Sequence, residues 1–420
     1  MELSPSTQEF VHVFDKEITV RTQTHNYVRD AATLAFLFAL AFTTTRPALA
    51  QSESVLYNFC SLANCTDGQH PFAAPVIDSK GNFYSTTNSG GASGAGTVFK
   101  LSPDRTETVL YSFAGTPDGD GPAAGLVMDK EGNFYGTTVS GGTYVFGGTV
   151  FKLSANGTET VLYSFGSTSL DGSEPYGTLV RDNKGNLYGT TSQGGAYGGG
   201  TVFEISATGT ESILHSFVFD SLEDGFYPET GLIMDRRGNL YGTTYVGGAF
   251  GHGTAFRLAP DGTETILHSF GATRSDGDNP VGSLVMDKQG NLYGTTSAGG
   301  ALQKGTVFKL APNGTEWLLH SFDPKLGDGE YPRAGLLLDA SGTLYGTTPA
   351  GGSSDAGIVF EIQPDRTETI LHSFSGSTSD GATPYSNVVM DSNGNLYGTT
   401  DNGGTFAGGT LYKITPQAIP

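Results

Sequence analysis

Residues 282–310 read GSLVMDKQGNLYGTTSAGGALQKGTVFKL, and this stretch decides the fold. Three β-branched and aromatic runs lie between turn residues: Gly282-Ser-Leu-Val-Met-Asp287, Asn291-Leu-Tyr-Gly-Thr-Thr296 and Gly305-Thr-Val-Phe-Lys-Leu310. The Asp-x-x-Gly link between the first two suits an Asx-type turn with glycine at positive φ. A Pro-Asn-Gly or Pro-Asp-Gly turn then leads to a fourth run, as in Glu264-Thr-Ile-Leu-His-Ser-Phe270, making a tight hairpin. Val, Ile, Tyr, Phe and Thr fit a pleated, half-buried surface. No stretch of residues 51–420 shows helical periodicity.

The unit recurs seven times. Its tyrosines are Tyr84, Tyr135, Tyr188, Tyr241, Tyr293, Tyr345 and Tyr397, spaced 51, 53, 53, 52, 52 and 52 residues apart. Four short antiparallel strands per unit, repeated at this period, predict an all-β, seven-bladed β-propeller. The ends predict a closed ring. Residues 53–59 are a fourth strand with no blade before them, and residues 409–414 are a third strand with no fourth after them. Pairing the two completes the last blade and hides both edges. Stacked blades let residues 51–420 form one domain without one oversized core.

Composition agrees. Of 420 residues 62 are glycine, twice the usual share of about 7%, yet no Gly-X-Y period runs through the chain. The 26 Phe and 19 Tyr argue against disorder. With 42 acidic and 22 basic residues the net charge is −20, which repels phosphate backbones and excludes nucleic acid as the expected partner.

Residues 31–42, AATLAFLFALAF, are too short to span a bilayer as a helix and fit the core of a signal peptide. Ala48-Leu49-Ala50 has the small-x-small form of a cleavage site, so residues 1–50 are expected to be a leader removed after Ala50. Residues 1–30 hold five acidic and three basic residues, unlike a basic export n-region, and initiation at Val28 would give a 23-residue leader. Export would make a local disulfide between Cys60 and Cys65, the two cysteines of the chain, the expected pairing.

Asp-Gly-x-x-Pro precedes every first strand, with aspartates Asp67, Asp118, Asp171, Asp224, Asp276, Asp328 and Asp380. One copy per blade favours an Asx turn, with glycine supplying backbone freedom and proline fixing φ before the inner strand. No cofactor is expected; Asp118 and Asp120 form the best calcium pair, far short of an EF-hand loop. Asp78, Asp129, Asp182, Asp235, Asp287, Asp339 and Asp391 are read as hairpin turn residues. His215, His268, His320 and His372 take one place in four fourth strands, where Tyr57, Tyr111 and Tyr163 stand in the others. One per blade, they cannot share a single metal. The Gly-Gly loops lack the Lys-Ser/Thr and following helix of a phosphate loop.

Function is expected on the face with the longer loops, those joining strands two to three and four to one. Variable residues there are Tyr144, Phe146, Tyr197, Phe250 and Phe406 in the Gly-Gly loops, with His252, and Phe72, Tyr176, Tyr227, Tyr331 and Tyr385 beside the prolines. Lys304 and Arg333 are rare positive charges on that face. The predicted ligand-binding set is Tyr144, Tyr197, Phe250, His252, Lys304, Arg333 and Phe406. Aromatic faces beside carboxylates suit sugar rings. No nucleophile elbow or His-Glu-x-x-His stands out, so a monomeric binding module, for extracellular glycan or protein, is expected rather than an enzyme. A glycosidase or lyase using carboxylates from several blades is the second reading, and a structural surface protein the third.

The units, such as Gly290-Asn-Leu-Tyr-Gly-Thr-Thr-Ser-Ala-Gly-Gly300 followed by Gly305-Thr-Val-Phe-Lys-Leu310, closely resemble the GloVer tandem repeat of exported bacterial proteins. The resemblance covers residues 53–416 and implies an exported bacterial repeat protein; it carries no activity or catalytic residues. Members of that family often end in a surface-anchoring or sorting segment. This chain stops at Pro420, so a periplasmic or released protein is expected.

Overall fold

The computed structural model describes residues 52–415. The leader, the start at Val28 and cleavage after Ala50 lie outside the described residues.

Seven antiparallel sheets form a seven-bladed propeller. In blade 5 the strands, from the channel outward, are Val285–Met286, Leu292–Gly299, Thr306–Leu310 and Glu316–Ser321. The ring closes as expected: Ser52–Asn58 pairs antiparallel with Thr410–Thr415, with Glu53 opposite Ile414 and Asn58 opposite Thr410, and becomes the outer strand of blade 7. The Cys60–Cys65 disulfide follows that strand directly.

The inner strand is shorter than the expected run of six, two residues in each blade. Its leading residues are used sideways instead. Thr295 Oγ1 donates to the Ala334 carbonyl of the next blade at 2.9 Å, and Thr190 Oγ1 to that of Thr230 at 2.8 Å. Thr399 Oγ1 does the same to Ala73 across the closure, at 3.1 Å. Near the axis the chain therefore bonds to its neighbour blade rather than extending its own ladder.

Blade boundaries carry the core, in seven apolar clusters. At each, the phenylalanine ending one outer strand meets the edge of an aromatic ring on the third strand of the next blade. Phe270 meets Phe308 at 5.0 Å, Phe374 meets Tyr412 at 5.1 Å, and Phe59 meets Phe99 at 4.9 Å across the closure. All six rings are fully buried. Each such ring contributes roughly 1.5–3 kcal/mol of burial, and each pair adds about 0.5–1.5 kcal/mol from its edge-to-face geometry.

The predicted turns are built as read. Asp287 Oδ1 accepts the N–H groups of Gln289 and Asn291, while Oδ2 accepts Asn291 Nδ2 and the Tyr293 hydroxyl. Burial opposes ionisation there, but the hydrogen bonds outweigh it and hold the carboxyl below its usual range. The Asp-Gly-x-x-Pro corner differs in one respect. The residue at positive φ in every blade is the one before proline (His70, Gly121, Glu174, Tyr227, Asn279, Tyr331 and Thr383), whereas glycine after aspartate does so only at Gly68. Glycine is needed there for space: a Cβ on Gly277 would lie 2.5–2.6 Å from the Thr296 side chain.

Candidate functional site

The two long loops lie on one face, and in most blades they pair directly. Gly119–Asp120 pairs with Ser140–Gly141, and Gly172–Ser173 with Gln193–Gly194. This pairing steers each corner toward the axis, so the residue after each proline reaches the mouth of the central channel. Seven such residues, Phe72, Ala123, Tyr176, Glu229, Val281, Arg333 and Tyr385, line one cavity of about 730 Å³. The next residues are smaller: Ala73, Ala124, Gly177, Thr230, Ala334 and Ser386 lead inward.

The mouth is chemically uneven. Phe72 and Tyr385, neighbours across the closure, stand with ring centroids 5.6 Å apart. Tyr176 is 39% exposed and offers a third ring. Glu229 and Arg333 flank Val281 in ring order. Partial desolvation raises the Glu229 pKa, Arg333 opposes the rise and Glu174 adds to it. Tyr176 is raised by burial and then by Glu174 and Glu229. Asp401 also lines the cavity and holds His70 Nδ1 at 2.9 Å; that hydrogen bond is the main reason the imidazole pKa rises.

Of the predicted set, Arg333 alone lines this cavity. Tyr144, Tyr197, Phe250 and Phe406 project from the tips of the Gly-Gly loops, 42–62% exposed, and do not pack between blades. Lys304 is tied to the adjoining corner: its Nζ pairs with Glu330, donates to the Tyr331 hydroxyl at 2.6 Å, and lies 4.4 Å from that ring's centroid. His252 Nδ1 sits 3.6 Å from Asp278. Sequence reasoning missed Glu229 and the positional logic of the ring. The signal was present: Asp, Gly and Pro recur in all seven corners, while the residue after proline takes six identities, with only tyrosine, at Tyr176 and Tyr385, used twice.

A second sevenfold constellation also escaped it. Each His or Tyr of the outer strand faces the corner aspartate and the glutamate that opens the outer strand of the next blade. Tyr57, Tyr111 and Tyr163 donate their hydroxyls to Asp67, Asp118 and Asp171 at 2.8, 2.9 and 3.2 Å. Glu107, Glu159 and Glu211 stand beside these pairs, each pushed up to about 7 by burial and then by the aspartate. At four boundaries histidine replaces tyrosine. His215 with Asp224 and Glu264, His268 with Asp276 and Glu316, His320 with Asp328 and Glu368, and His372 with Asp380 and Glu53 each place ligand atoms within 4.8 Å of one another. These four clusters could hold a cation weakly, and the four histidines share no common site. Asp118, read as a calcium ligand with Asp120, is already engaged: its Oδ2 accepts Tyr111 and the Ala114 N–H, while Oδ1 is buried without a partner.

No helix among the described residues is long and apolar enough to cross a membrane. No curated protein sequence matches the chain. In fold it is similar to the extracellular domain assigned to the hybrid two component system BT4673 of B. thetaiotaomicron, at 14% identity and a TM-score of 0.56 over 86% of this chain and 39% of that one. The corresponding domain of BT3049 from the same organism gives 14% and 0.52, over 88% and 41%. PorZ, a bacterial surface component of the type-IX secretion system of Porphyromonas gingivalis, gives 15% and 0.52, over 82% and 46%. The chain thus spans less than half the length of these structures, and at such identities the likeness is one of fold. The repeat itself is decisive: residues 40–248 and 229–419 match the Gloeobacter/Verrucomicrobia repeat, and the chain belongs to that family.

Proposed function

We propose that this protein is a secreted, monomeric binding module whose long-loop face holds an extracellular carbohydrate, after removal of the leader near Ala50. One observation carries the reading: Phe72, Tyr176 and Tyr385 share the rim of one cavity with Glu229 and Arg333. Aromatic faces pack against the apolar face of a sugar ring, while a carboxylate and a guanidinium hydrogen-bond its hydroxyls or an acidic substituent. The exposed tips Tyr144, Tyr197, Phe250 and Phe406 extend the contact along a longer chain, with His252 and Lys304 as polar flanks. Export fits the leader and the Cys60–Cys65 bridge.

A glycan array probed with residues 51–420 tests the reading. Hits should weaken about tenfold or more in Tyr176→Ala/Tyr385→Ala. Long glycans alone should weaken in Tyr197→Ala/Phe250→Ala. Full binding by the first pair would move the site off the channel mouth, and an array without hits would remove the carbohydrate reading. Every hit is also assayed for cleavage; turnover lost in Glu229→Gln would replace binding by catalysis.

A further inference from the structure

The boundary clusters differ in a way that the propeller itself does not require. Where tyrosine stands, its O–H fills the gap to the corner aspartate, as at Tyr57 and Asp67. Histidine fills it at two boundaries: His320 Nε2 lies 2.8 Å from Asp328 and His372 Nε2 lies 3.2 Å from Asp380. At the other two it stands off. His215 Nε2 is 3.6 Å from Asp224 Oδ2 and 3.9 Å from Glu264 Oε2, and His268 Nε2 is 3.7 Å from Asp276 Oδ1.

Two imidazole atoms, His215 Nε2 and His268 Nε2, are left closed to solvent and without a partner; the glutamate oxygens beside them, Glu264 Oε1 and Glu316 Oε1, are unpartnered as they are at Glu53, Glu107, Glu159 and Glu368, so the histidines set these two boundaries apart. An orphaned buried polar atom is costly, so each of these two histidine nitrogens needs an account. The spacing supplies it. Two ligands about 2.0–2.2 Å from one tetrahedral ion lie about 3.4 Å apart, longer than a hydrogen bond and close to the separations seen here.

The carboxylates and imidazoles are held in place by the repeat itself. Asp224 is held by the N–H groups of Val218 at 3.0 Å and Gly225 at 2.7 Å, and Asp276 by those of Ala272 and Gly277 at 2.9 and 2.8 Å. The imidazoles are set against the edges of Phe217 and Phe270, with centroids 4.6 and 4.7 Å away. Hydrogen bonds of this kind, made by groups that do not touch the ion, orient metal-binding carboxylates. Two carboxylates balance a divalent charge. One imidazole with two carboxylates suits Zn²⁺, whereas Ca²⁺ takes six to eight oxygens.

We propose that the 3–4 and 4–5 blade boundaries each bind one Zn²⁺, through His215, Asp224 and Glu264 and through His268, Asp276 and Glu316. Each ion would bridge two blades, because the glutamate comes from the outer strand of the following blade. The proposal stands apart from the channel-mouth reading, which shares none of these residues.

The test is calorimetric titration of chelator-stripped protein with ZnCl₂, with CaCl₂ as comparison. The wild type should take up two Zn²⁺ per chain, raise its melting temperature with Zn²⁺, and prefer Zn²⁺ to Ca²⁺. His215→Tyr should leave one site and His215→Tyr/His268→Tyr none. These substitutions install the residue that three boundaries already carry, so the fold is kept, as circular dichroism should confirm. No uptake by the wild type, or uptake unchanged in the double variant, would overturn the assignment. A Co²⁺-loaded sample should show the visible bands of four-coordinate cobalt, reduced by half in His215→Tyr; six-coordinate bands would reject the tetrahedral site.

Discussion

The closure of the ring rests on eight residues, and Phe59 is the place to test it. Its ring is fully buried, meets Phe99 of blade 1 at 4.9 Å and Tyr57 at 5.1 Å, and lies in the cluster that joins blade 7 to blade 1. Truncating a buried phenylalanine costs about 3–5 kcal/mol, the lost transfer energy plus a cavity. For a fold of this size about 1.3 °C accompanies each kcal/mol, so Phe59→Ala should lower the melting temperature by ~4–7 °C. Phe270→Ala, at a boundary with no chain break, is the internal standard: Phe270 is equally buried and meets Phe308 at 5.0 Å. Equal losses mean that the non-covalent seam is packed as tightly as the others. Deleting residues 1–59 goes further, because it strips the partner of Thr410–Thr415 and exposes an edge strand. Thermal unfolding by circular dichroism, with light scattering after gel filtration, should show a sharp loss of stability and aggregation. A melting temperature and monomeric profile unchanged by that deletion would refute the closure argument, as would a loss in Phe270→Ala without one in Phe59→Ala.

Three other outcomes are expected. Gly294→Val should cost about 1–3 kcal/mol by urea denaturation, since a Cβ there would lie 2.7 Å from Phe308 Cζ and 2.9 Å from Leu284 Cδ2. Asp287→Ala should cost about 2–3 kcal/mol, because one carboxylate accepts from Gln289, Asn291 twice and Tyr293; an unchanged urea midpoint would deny the turn its role. Stability should also fall as pH rises from about 4.5 to 7: the unfolded chain ionises Glu107, Glu159 and Glu211 near 4.5, while burial holds their folded pKa at about 7. The proton is thus bound more tightly in the fold, and its contribution, about 1 kcal/mol per carboxyl after solvent screening, is present at low pH and gone above 7. Urea midpoints at pH 5 and 7.5 should differ in the wild type, and the difference should shrink in the Glu107→Gln/Glu159→Gln/Glu211→Gln variant, with Glu53, Glu264 and Glu368, also pushed up to about 7 by burial, keeping the remainder.

Much of the fold was legible because it is local and repeated. Turn chemistry at Asp287-x-x-Gly290 and the alternation of Thr306–Leu310 depend on neighbours in the chain, and seven copies make the pattern unmistakable. The closing strand was legible too, from a fourth strand at one end and its absence at the other. The boundary clusters were not. Glu264 and His215 are 49 residues apart, and only blade stacking brings them within 3.9 Å. The expected loop-tip aromatics were visible as exposed variable residues, but nothing in the sequence told which variable positions converge.

By itself, then, the amino-acid sequence determined the strand pattern, the number of blades, the seam and the family, since each follows from short-range turn chemistry repeated at a fixed period. The tertiary structure alone decided where chemistry can gather. Ring geometry brings one residue from each of seven corners to the channel mouth and sets one glutamate against the histidine or tyrosine of the blade before it. Those distances are set by how the sheets stack around an axis, a constraint that no window of the sequence contains.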